Sequence, residues 1–237
     1  MRIIKEVIDF LKIVQSKTII VNTLNQIIVL LFCLFFLNLS YTQSGNNQAR
    51  NPIVIIDPGH GGKDAGATTR NGIKEKDIAL GIASKIVVLN NKLVENPLIL
   101  FLTRYTDTLI SLGDRTHLTK KLKADVFISI HCNQALYRTA SGTEVFIHPK
   151  SEVQAEESAY LGFIIQKGLA EILGINNRGI KYGNFQVLRD NDDSSATVLL
   201  ELGFLSQTDE AIYLTKEESQ NAIALVILQS IIKFLGL

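Results

Sequence analysis

The sequence predicts an α/β domain in which a mostly parallel, mixed sheet lies between two layers of helices. Strand and helix patterns alternate along almost all of residues 51–237, which is typical of a three-layer α/β/α arrangement. The first strand candidate, IVII at residues 53–56, is apolar at every position rather than at alternate positions. Such a run indicates a strand covered on both faces, as in a parallel sheet with helices on each side.

The individual elements follow from the spacing of the apolar residues. Short apolar runs, often β-branched, predict strands at residues 53–56, 98–102, 126–130, 143–147, 185–188 and 196–200. Apolar residues that recur every three or four positions, as at Ile78, Ile82 and Ile86, indicate helices. By this criterion helices are predicted at residues 75–93, 109–122, 155–173 and 220–235.

The first fifty residues differ from the rest of the chain. An uninterrupted apolar run at residues 27–37 follows a basic segment and precedes Ser40-Tyr41-Thr42, which is the pattern of a signal peptide. The alternative is an uncleaved anchor, since an interrupted apolar segment at residues 19–39 is long enough to attach the chain to a membrane. We therefore expect a signal peptide or signal anchor plus a polar linker at residues 1–50 and a folded domain at 51–237. The protein would be periplasmic or secreted, or anchored to the inner membrane.

Composition and charge exclude several classes of protein. With 46% hydrophobic residues, and 24 basic against 23 acidic side chains, the chain is neither disordered nor collagen-like. Residues 51–237 hold 19 basic and 21 acidic residues, so no bulk positive charge favours a nucleic acid, and we expect no such partner. Cys132 is the one cysteine of this part, which excludes a disulfide framework. We expect a monomer that is stabilised by packing.

Three ionisable residues follow predicted strands. His60 lies in a glycine-rich turn after the first strand, His131 follows residues 126–130, and Glu201 follows residues 196–200. In open α/β sheets ligands bind at the carboxyl ends of the strands, so these side chains are candidates for one site. Taken alone, each histidine is more often a structural residue, and a glycine-rich turn is more often only a turn. Glu201, however, needs a charge partner or a metal to offset its burial.

Glu75 adds a carboxylate to this group from the start of the first predicted helix. Its position also has a structural explanation, because the helix dipole favours acidic residues at a helix N-terminus. Joined to His60 and His131, Glu75 completes two imidazoles and one carboxylate, the ligand set of a catalytic zinc site that keeps a position open for water. Glu201 then remains as a general base for that water. The sequence therefore predicts one Zn²⁺ per chain.

Four segments carry this group of residues in a recognisable series. They are IVIIDPGHGGKDAGA (53–67), IKEKDIAL (73–80), ADVFISIHCNQA (124–135) and VLLELGFLSQTDE (198–210). Together they resemble the successive motifs of zinc-dependent N-acetylmuramoyl-L-alanine amidases, the third amidase class of peptidoglycan hydrolases. The resemblance implies that residues 51–237 form a zinc amidase catalytic domain acting on peptidoglycan. It also implies cleavage of the amide between the lactyl group of N-acetylmuramic acid and the L-alanine of the stem peptide.

The resemblance also assigns individual residues. His60, Glu75 and His131 match the zinc ligands, and Glu201 matches the catalytic glutamate. Arg178 matches a family segment that lines the groove and is a candidate for substrate contact.

Other residues around the site have separate interpretations. Asn133 is a second candidate for substrate contact, because it lies two residues beyond His131 and returns to the same strand face. Arg104 and Arg115 match family positions that we interpret as structural salt-bridge or hydrogen-bond sites. Cys132 is interpreted as core packing, since neighbours in a strand point to opposite faces. His117 falls in a helical pattern and is expected at the surface.

Two other functions stay open at this point. A related zinc peptidase or deacetylase would use the same ligands on another amide of the cell envelope. A murein-binding module would have lost its catalytic site, although such a module has no need of Glu201. Residues 142–178 leave no room for an extra helical insertion of the kind that blocks some regulated relatives. We therefore expect an open groove and no requirement for an activator.

Overall fold

A six-stranded sheet lies at the centre of the computed structural model, which describes residues 50–148, 152–191 and 195–237. The strands are β1 (Ile53–Pro58), β2 (Ile99–Leu102), β3 (Val126–Asn133), β4 (Thr143–Ile147), β5 (Asn177–Tyr182) and β6 (Ala196–Phe204). The helices are α1 (Glu75–Leu93), α2 (Leu112–Leu122), α3 (Glu152–Leu173), α4 (Gln186–Arg189), α5 (Thr208–Thr215) and α6 (Glu217–Leu235). Residues Asn51–Leu237 form one compact unit.

The sheet is mixed and mostly parallel, as predicted. Its strand order is β2-β1-β3-β6-β4-β5. The first four of these strands pair in parallel, whereas β4 pairs antiparallel with β6 and parallel with β5. Because β1, β3 and β6 are parallel neighbours, their carboxyl ends reach the same edge of the sheet.

Helices cover both faces of the sheet and enclose two separate cores. Along β3, Ile128 and Ile130 point into the larger core beneath α1, α3 and α6, whereas Phe127 points into the smaller core beneath α2 and α4. All three side chains are fully buried. The predicted three-layer α/β/α architecture is confirmed. The same alternation puts His131 on the face of Phe127, at the end of the strand.

The strand predicted at residues 185–188 is wrong. These residues overlap the short helix α4, in which Val187 and Leu188 are buried in the smaller core. A four-residue apolar run does not by itself distinguish a buried helical turn from a strand. The strand of this region, β5, lies earlier and at the edge of the sheet, where it pairs with β4. Its residues are exposed or half-buried, so it lacks the apolar run of a central strand.

The helices differ from prediction in their boundaries. α2 begins at Leu112 rather than at residue 109, because Ser111 caps it: the Oγ atom accepts the backbone N–H of Asp114 at 3.1 Å. Helix α5 has no counterpart among the predicted helices. It is eight residues long and is followed directly by α6, which begins at Glu217, three residues before the predicted start.

The predictions for the head of the chain concern residues 1–50, and nearly all of that segment lies outside the described residues. None of the helices within the described ranges combines the length and the apolar character needed to cross a bilayer. Cleavage of the head and membrane attachment through residues 19–39 both stay predictions.

Candidate metal centre

The four residues singled out in the sequence lie together at the carboxyl ends of the central strands. His60 follows β1, Glu75 is the first residue of α1, His131 lies near the end of β3, and Glu201 lies in β6. In the register of the sheet, His131 is directly opposite Glu201 on the neighbouring strand. The fold therefore brings residues from four separate elements to one edge.

His60, Glu75 and His131 form a cluster whose donor atoms converge. The Oε1 atom of Glu75 lies 3.0 Å from Nε2 of His60 and 2.8 Å from Nδ1 of His131. One potential ligand atom from each residue lies within 4.8 Å of the others. Two imidazole nitrogens and one carboxylate oxygen suit a catalytic zinc ion, so the chemistry of this donor set fits the predicted metal. The two histidine side chains remain 23% and 18% exposed, which opens the cluster to solvent.

Two buried arginines fix the turn that carries His60. Arg115 donates to the carbonyl oxygens of Pro58 and His60 at 2.8 and 2.7 Å, and Arg104 donates to that of Gly59 at 2.8 Å. His60 has a φ of 58°, a left-handed conformation that costs energy in a residue with a Cβ atom. The arginine hydrogen bonds stabilise this conformation, in agreement with the structural interpretation of both residues.

Two glycines leave the space that the cluster occupies. A Cβ atom at Gly59 would overlap the ring of His131, and one at Gly66 would lie 2.8 Å from Nε2 of His60. Gly66 also has a φ of +65°, which a larger residue would adopt only under strain. The glycine-rich sequence around His60 is therefore required by close packing against the cluster.

Asp64 is a member of the site that the sequence interpretation missed. Its Oδ2 atom lies 2.8 Å from Nδ1 of His60, the ring nitrogen that faces away from Glu75. A carboxylate in this position orients a metal-binding imidazole and increases its basicity. The spacing of four residues between His60 and Asp64, with two glycines between them, was the available signal.

Hydrogen bonding sets the charge state of the cluster. Burial alone would lower the pKa of His60, but hydrogen bonds and charges from Glu75 and Asp64 raise it to about 9. Burial alone would raise the pKa of Glu75, but hydrogen bonds from His131 and His60 hold it well below its usual range. Without a metal, the cluster is therefore an ionised carboxylate neutralised by a histidine.

Glu201 differs from the cluster in having an unpaired oxygen. Its Oε2 atom is buried and has no hydrogen-bond partner among the described residues. Burial raises the pKa of Glu201 to about 7, and the negative charges of Glu75 and Glu144 act in the same direction while His131 opposes them. A carboxylate with this pKa, beside the donor cluster, is suited to accept and return a proton near neutral pH.

The two predicted substrate contacts, Asn133 and Arg178, both bind a residue that was not predicted. Glu144 of β4 is buried, and it accepts hydrogen bonds from Nδ2 of Asn133 at 3.1 Å and from Nε of Arg178 at 2.7 Å. Lys181 donates to the same carboxylate at 2.6 Å. Contact of Asn133 or Arg178 with a substrate stays a prediction.

Cys132 and His117 lie where the sequence predicts them. The thiol of Cys132 is buried in the larger core, on the opposite strand face from His131. His117 is exposed on α2.

Comparison with known proteins gives a consistent family match. A family model described as N-acetylmuramoyl-L-alanine amidase matches residues 54–233. The chain is 36% identical over 169 residues to the N-acetylmuramoyl-L-alanine amidase LytC of Bacillus subtilis, covering 70% of this chain and 32% of the relative. It is also 36% identical over 159 residues to a sporulation-specific N-acetylmuramoyl-L-alanine amidase of the same organism, covering 67% of this chain and 58% of the relative. The chain thus spans about a third of the length of the first relative and somewhat over half of the length of the second.

Solved structures agree with this match. The crystal structure of an N-acetylmuramoyl-L-alanine amidase from Clostridium difficile 630 superposes with a TM-score of 0.73 at 33% identity. The alignment covers 79% of this chain and 98% of that one.

Proposed function

The chain belongs to the N-acetylmuramoyl-L-alanine amidase family, and from this premise we propose that it hydrolyses peptidoglycan at the amide between the lactyl group of N-acetylmuramic acid and L-alanine. The observation that carries the proposal is the meeting of His60, Glu75 and His131 with Glu201 at one open edge of the sheet.

His60, Glu75 and His131 would hold one zinc ion per chain, and Asp64 would orient His60 through its second ring nitrogen. When bound, zinc polarises the amide carbonyl and lowers the pKa of a water molecule towards ~7. Arg104 and Arg115 keep the His60 turn in its left-handed conformation, so the ligand geometry is set before substrate binds.

Glu201 performs the proton transfers of the reaction. It takes a proton from the attacking water as the new C–O bond forms, and it returns this proton to the amide nitrogen as the C–N bond breaks. The products are a lactyl carboxylate and a peptide with a free L-alanine amine. Because the Oε2 atom of Glu201 has no other partner in the described structure, it is free to accept that proton.

The alternative functions differ in what they predict. A zinc peptidase or deacetylase would use the same four residues on a different amide, and the family membership favours the amidase over it. A murein-binding module would bind peptidoglycan without releasing any peptide.

Digestion of purified muropeptides by the full chain tests the proposal. We expect release of stem peptides with an N-terminal L-alanine, identified by mass spectrometry, and loss of this release after treatment with a chelator. Glu201→Gln should lower kcat by about 10²- to 10⁴-fold, the usual contribution of a general base. The matched control is Glu171→Gln, which changes an exposed carboxylate on α3 and should retain full activity. Fragments cut at any other bond would exclude the amidase function.

A peptidoglycan substrate requires the domain to lie in the cell envelope. We propose a periplasmic or secreted enzyme that acts as a monomer, with residues 1–50 either exporting it or anchoring it to the inner membrane.

A further inference from the structure

The metal centre lies in a groove that shares lining residues with two further cavities. The central groove, of about 490 Å³, is lined by the metal cluster, Gln134, Phe185 and Glu201. Gln134 also lines a cavity of about 580 Å³ on one side, which we call the arginine pocket. Phe185 also lines a cavity of about 580 Å³ on the other side, which we call the phenylalanine pocket. The central groove therefore adjoins both pockets, and the two pockets share no lining residue with each other.

The arginine pocket carries positive charge. Arg70 and Arg138, both exposed, lie in its wall, and no acidic residue is among the described residues that line it. No ion pair of either guanidinium is found in the described part of the chain. Its other walls are uncharged and include Thr68, Ser206 and Ile212.

Both arginines are carried by loops with defined shapes. Arg70 lies in a tight turn in which the N–H of Gly72 donates to the carbonyl oxygen of Thr69 at 3.1 Å. The loop that carries Arg138 is tied to the end of β6, since the N–H of Ala135 donates to Oγ of Ser206 at 3.1 Å.

The phenylalanine pocket has the opposite character. Its exposed apolar side chains include Leu109, Leu112 and Phe185. Its charged residues include the carboxylates Asp64 and Asp114, while its one arginine, Arg115, is buried in an ion pair with Asp57 at 2.6 Å. Asp114 has no ion pair among the described residues and disfavours an anion in this pocket, whereas a neutral sugar can pack against the apolar surface.

The two halves of a peptidoglycan substrate differ in the same way. The stem peptide has a free carboxylate at its C-terminus, and in its unamidated form it has another on the acidic residue that follows L-alanine. The glycan strand is uncharged when its lactyl groups are amide-linked. Building on the proposed function, we propose that the stem peptide binds in the arginine pocket, with Arg70 and Arg138 both recognising the free carboxylate of its second residue, and that the glycan binds in the phenylalanine pocket. Arg178 and Lys181 already share the carboxylate of Glu144 and are poorer partners for the peptide.

Kinetics on two matched muropeptides test this orientation. One has a free carboxylate on the second residue of the peptide, and the other has a carboxamide there. Wild-type full chain should prefer the free acid. Arg70→Gln and Arg138→Gln should each lower kcat/KM for the acid about tenfold, the worth of a hydrogen bond to a charged group, and leave the amide unchanged. The matched control is Lys167→Gln, an exposed cation on α3 that lines none of the three cavities, which should change neither value.

Each other outcome overturns the inference. An equal loss of kcat/KM on both substrates would mean that the arginines do not bind the carboxylate of the second residue. Retention of the preference for the acid in the Arg70→Gln, Arg138→Gln double variant would mean the same. Loss of the preference in Arg178→Gln alone would place the peptide beside β5 and Glu144 instead. A wild-type protein that releases no L-alanine peptide from either substrate would instead contradict the proposed function itself.

Hydrogen exchange gives a second measurement that does not depend on turnover. The free peptide L-Ala-D-Glu-L-Lys should slow exchange in residues 68–73 and 134–138 of the full chain. The disaccharide of N-acetylglucosamine and N-acetylmuramic acid amide should slow it in residues 109–112 and 185–187. Protection in the reverse arrangement would overturn the orientation.

Discussion

Glu144 and Glu201 are opposite each other in the register of β4 and β6, yet their carboxyl groups are in contrasting environments. Burial would raise the pKa of Glu144, but hydrogen bonds from Lys181 and Arg178 lower it. Glu201 has a buried oxygen without a partner, and burial raises its pKa to about 7. One carboxylate is therefore held charged as part of the wall, while the other is able to exchange a proton.

The raised pKa of Glu201 predicts that the metal-free protein loses folding stability as pH rises. Unfolded Glu201 loses its proton near its ordinary pKa of 4.5, whereas folded Glu201 keeps it until about pH 7. The folded state therefore binds more protons over this interval, and stability falls as pH rises through it. Glu201→Gln removes this loss of stability, because glutamine has no proton to lose. The variant should match wild type at pH 4 and exceed its free energy of unfolding by up to about 3 kcal/mol at pH 7.5.

Urea unfolding of both chelator-treated proteins at the two pH values measures this difference. Glu171→Gln is the control, since its exposed carboxylate should give the same free energy of unfolding as wild type at both values. A Glu201→Gln variant that is less stable than wild type at pH 7.5 would contradict the prediction, because it would show that the ionised carboxylate of Glu201 does not destabilise the folded protein.

The sequence predicts candidate site residues where an ionisable side chain directly follows a buried apolar run. His131 and Glu201 were predicted in this way, and the structure places both at the same edge of the sheet. Glu144 and Asp64 were missed for different reasons. The importance of Glu144 depends on contacts with residues 34 and 37 positions away, which no local pattern encodes. Asp64 lies in a turn where an acidic residue is ordinary.

At the scale of elements, the connection between β1 and α1 is stabilised by one buried ion pair. Asp57 of β1 binds Nη1 of Arg115 at 2.6 Å and also accepts hydrogen bonds from Thr103 and Ser129 at 2.5 and 2.7 Å. These contacts join β1 to α2, β3 and the segment after β2. The turn that carries His60 therefore depends on three other parts of the domain.

Loss of Arg115 should destabilise the whole domain. Arg115→Gln leaves the buried carboxylate of Asp57 without its cation, and breaking a buried pair costs about 3–5 kcal/mol. Thermal unfolding of the purified variant measures the loss. Arg189→Gln is the control, because this arginine of α4 is 43% exposed and its removal should cost less than about 0.5 kcal/mol. Equal stability of the two variants would contradict a stabilising role for the Asp57 pair.

The sequence predicted well those helices and strands whose buried apolar residues recur at regular spacing. α1 was predicted with its observed bounds, because Ile78, Ile82 and Ile86 are fully or almost fully buried on one face. β5 and α5 were not predicted. β5 is an edge strand without a buried apolar run, and α5 is too short for helical spacing to be distinctive.

The candidate metal centre of the domain depends on the parallel order of β1, β3 and β6. The alternation of strands and helices was enough to predict that their ends meet. The antiparallel direction of β4 was not predictable from the sequence, and it is this strand that brings Glu144 beside Glu201. The four candidate site residues were therefore easier to predict from the sequence than Glu144 beside them.

Because the cluster joins α1 to β1 and β3, metal binding should stabilise the entire domain. A ligand that binds only the folded state at one hundred times its Kd adds about 2.7 kcal/mol. For a domain of this size that raises Tm by roughly 5–10 °C. We expect about one zinc per chain by elemental analysis, a fall in Tm after chelation, and recovery when zinc is added back. His60→Ala should lose both the zinc and the zinc-dependent rise in Tm, whereas His117→Ala, which changes an exposed histidine on α2, should keep both. Equal zinc content in the two variants would exclude His60 as a ligand, and with it the assignment of this cluster as the metal centre.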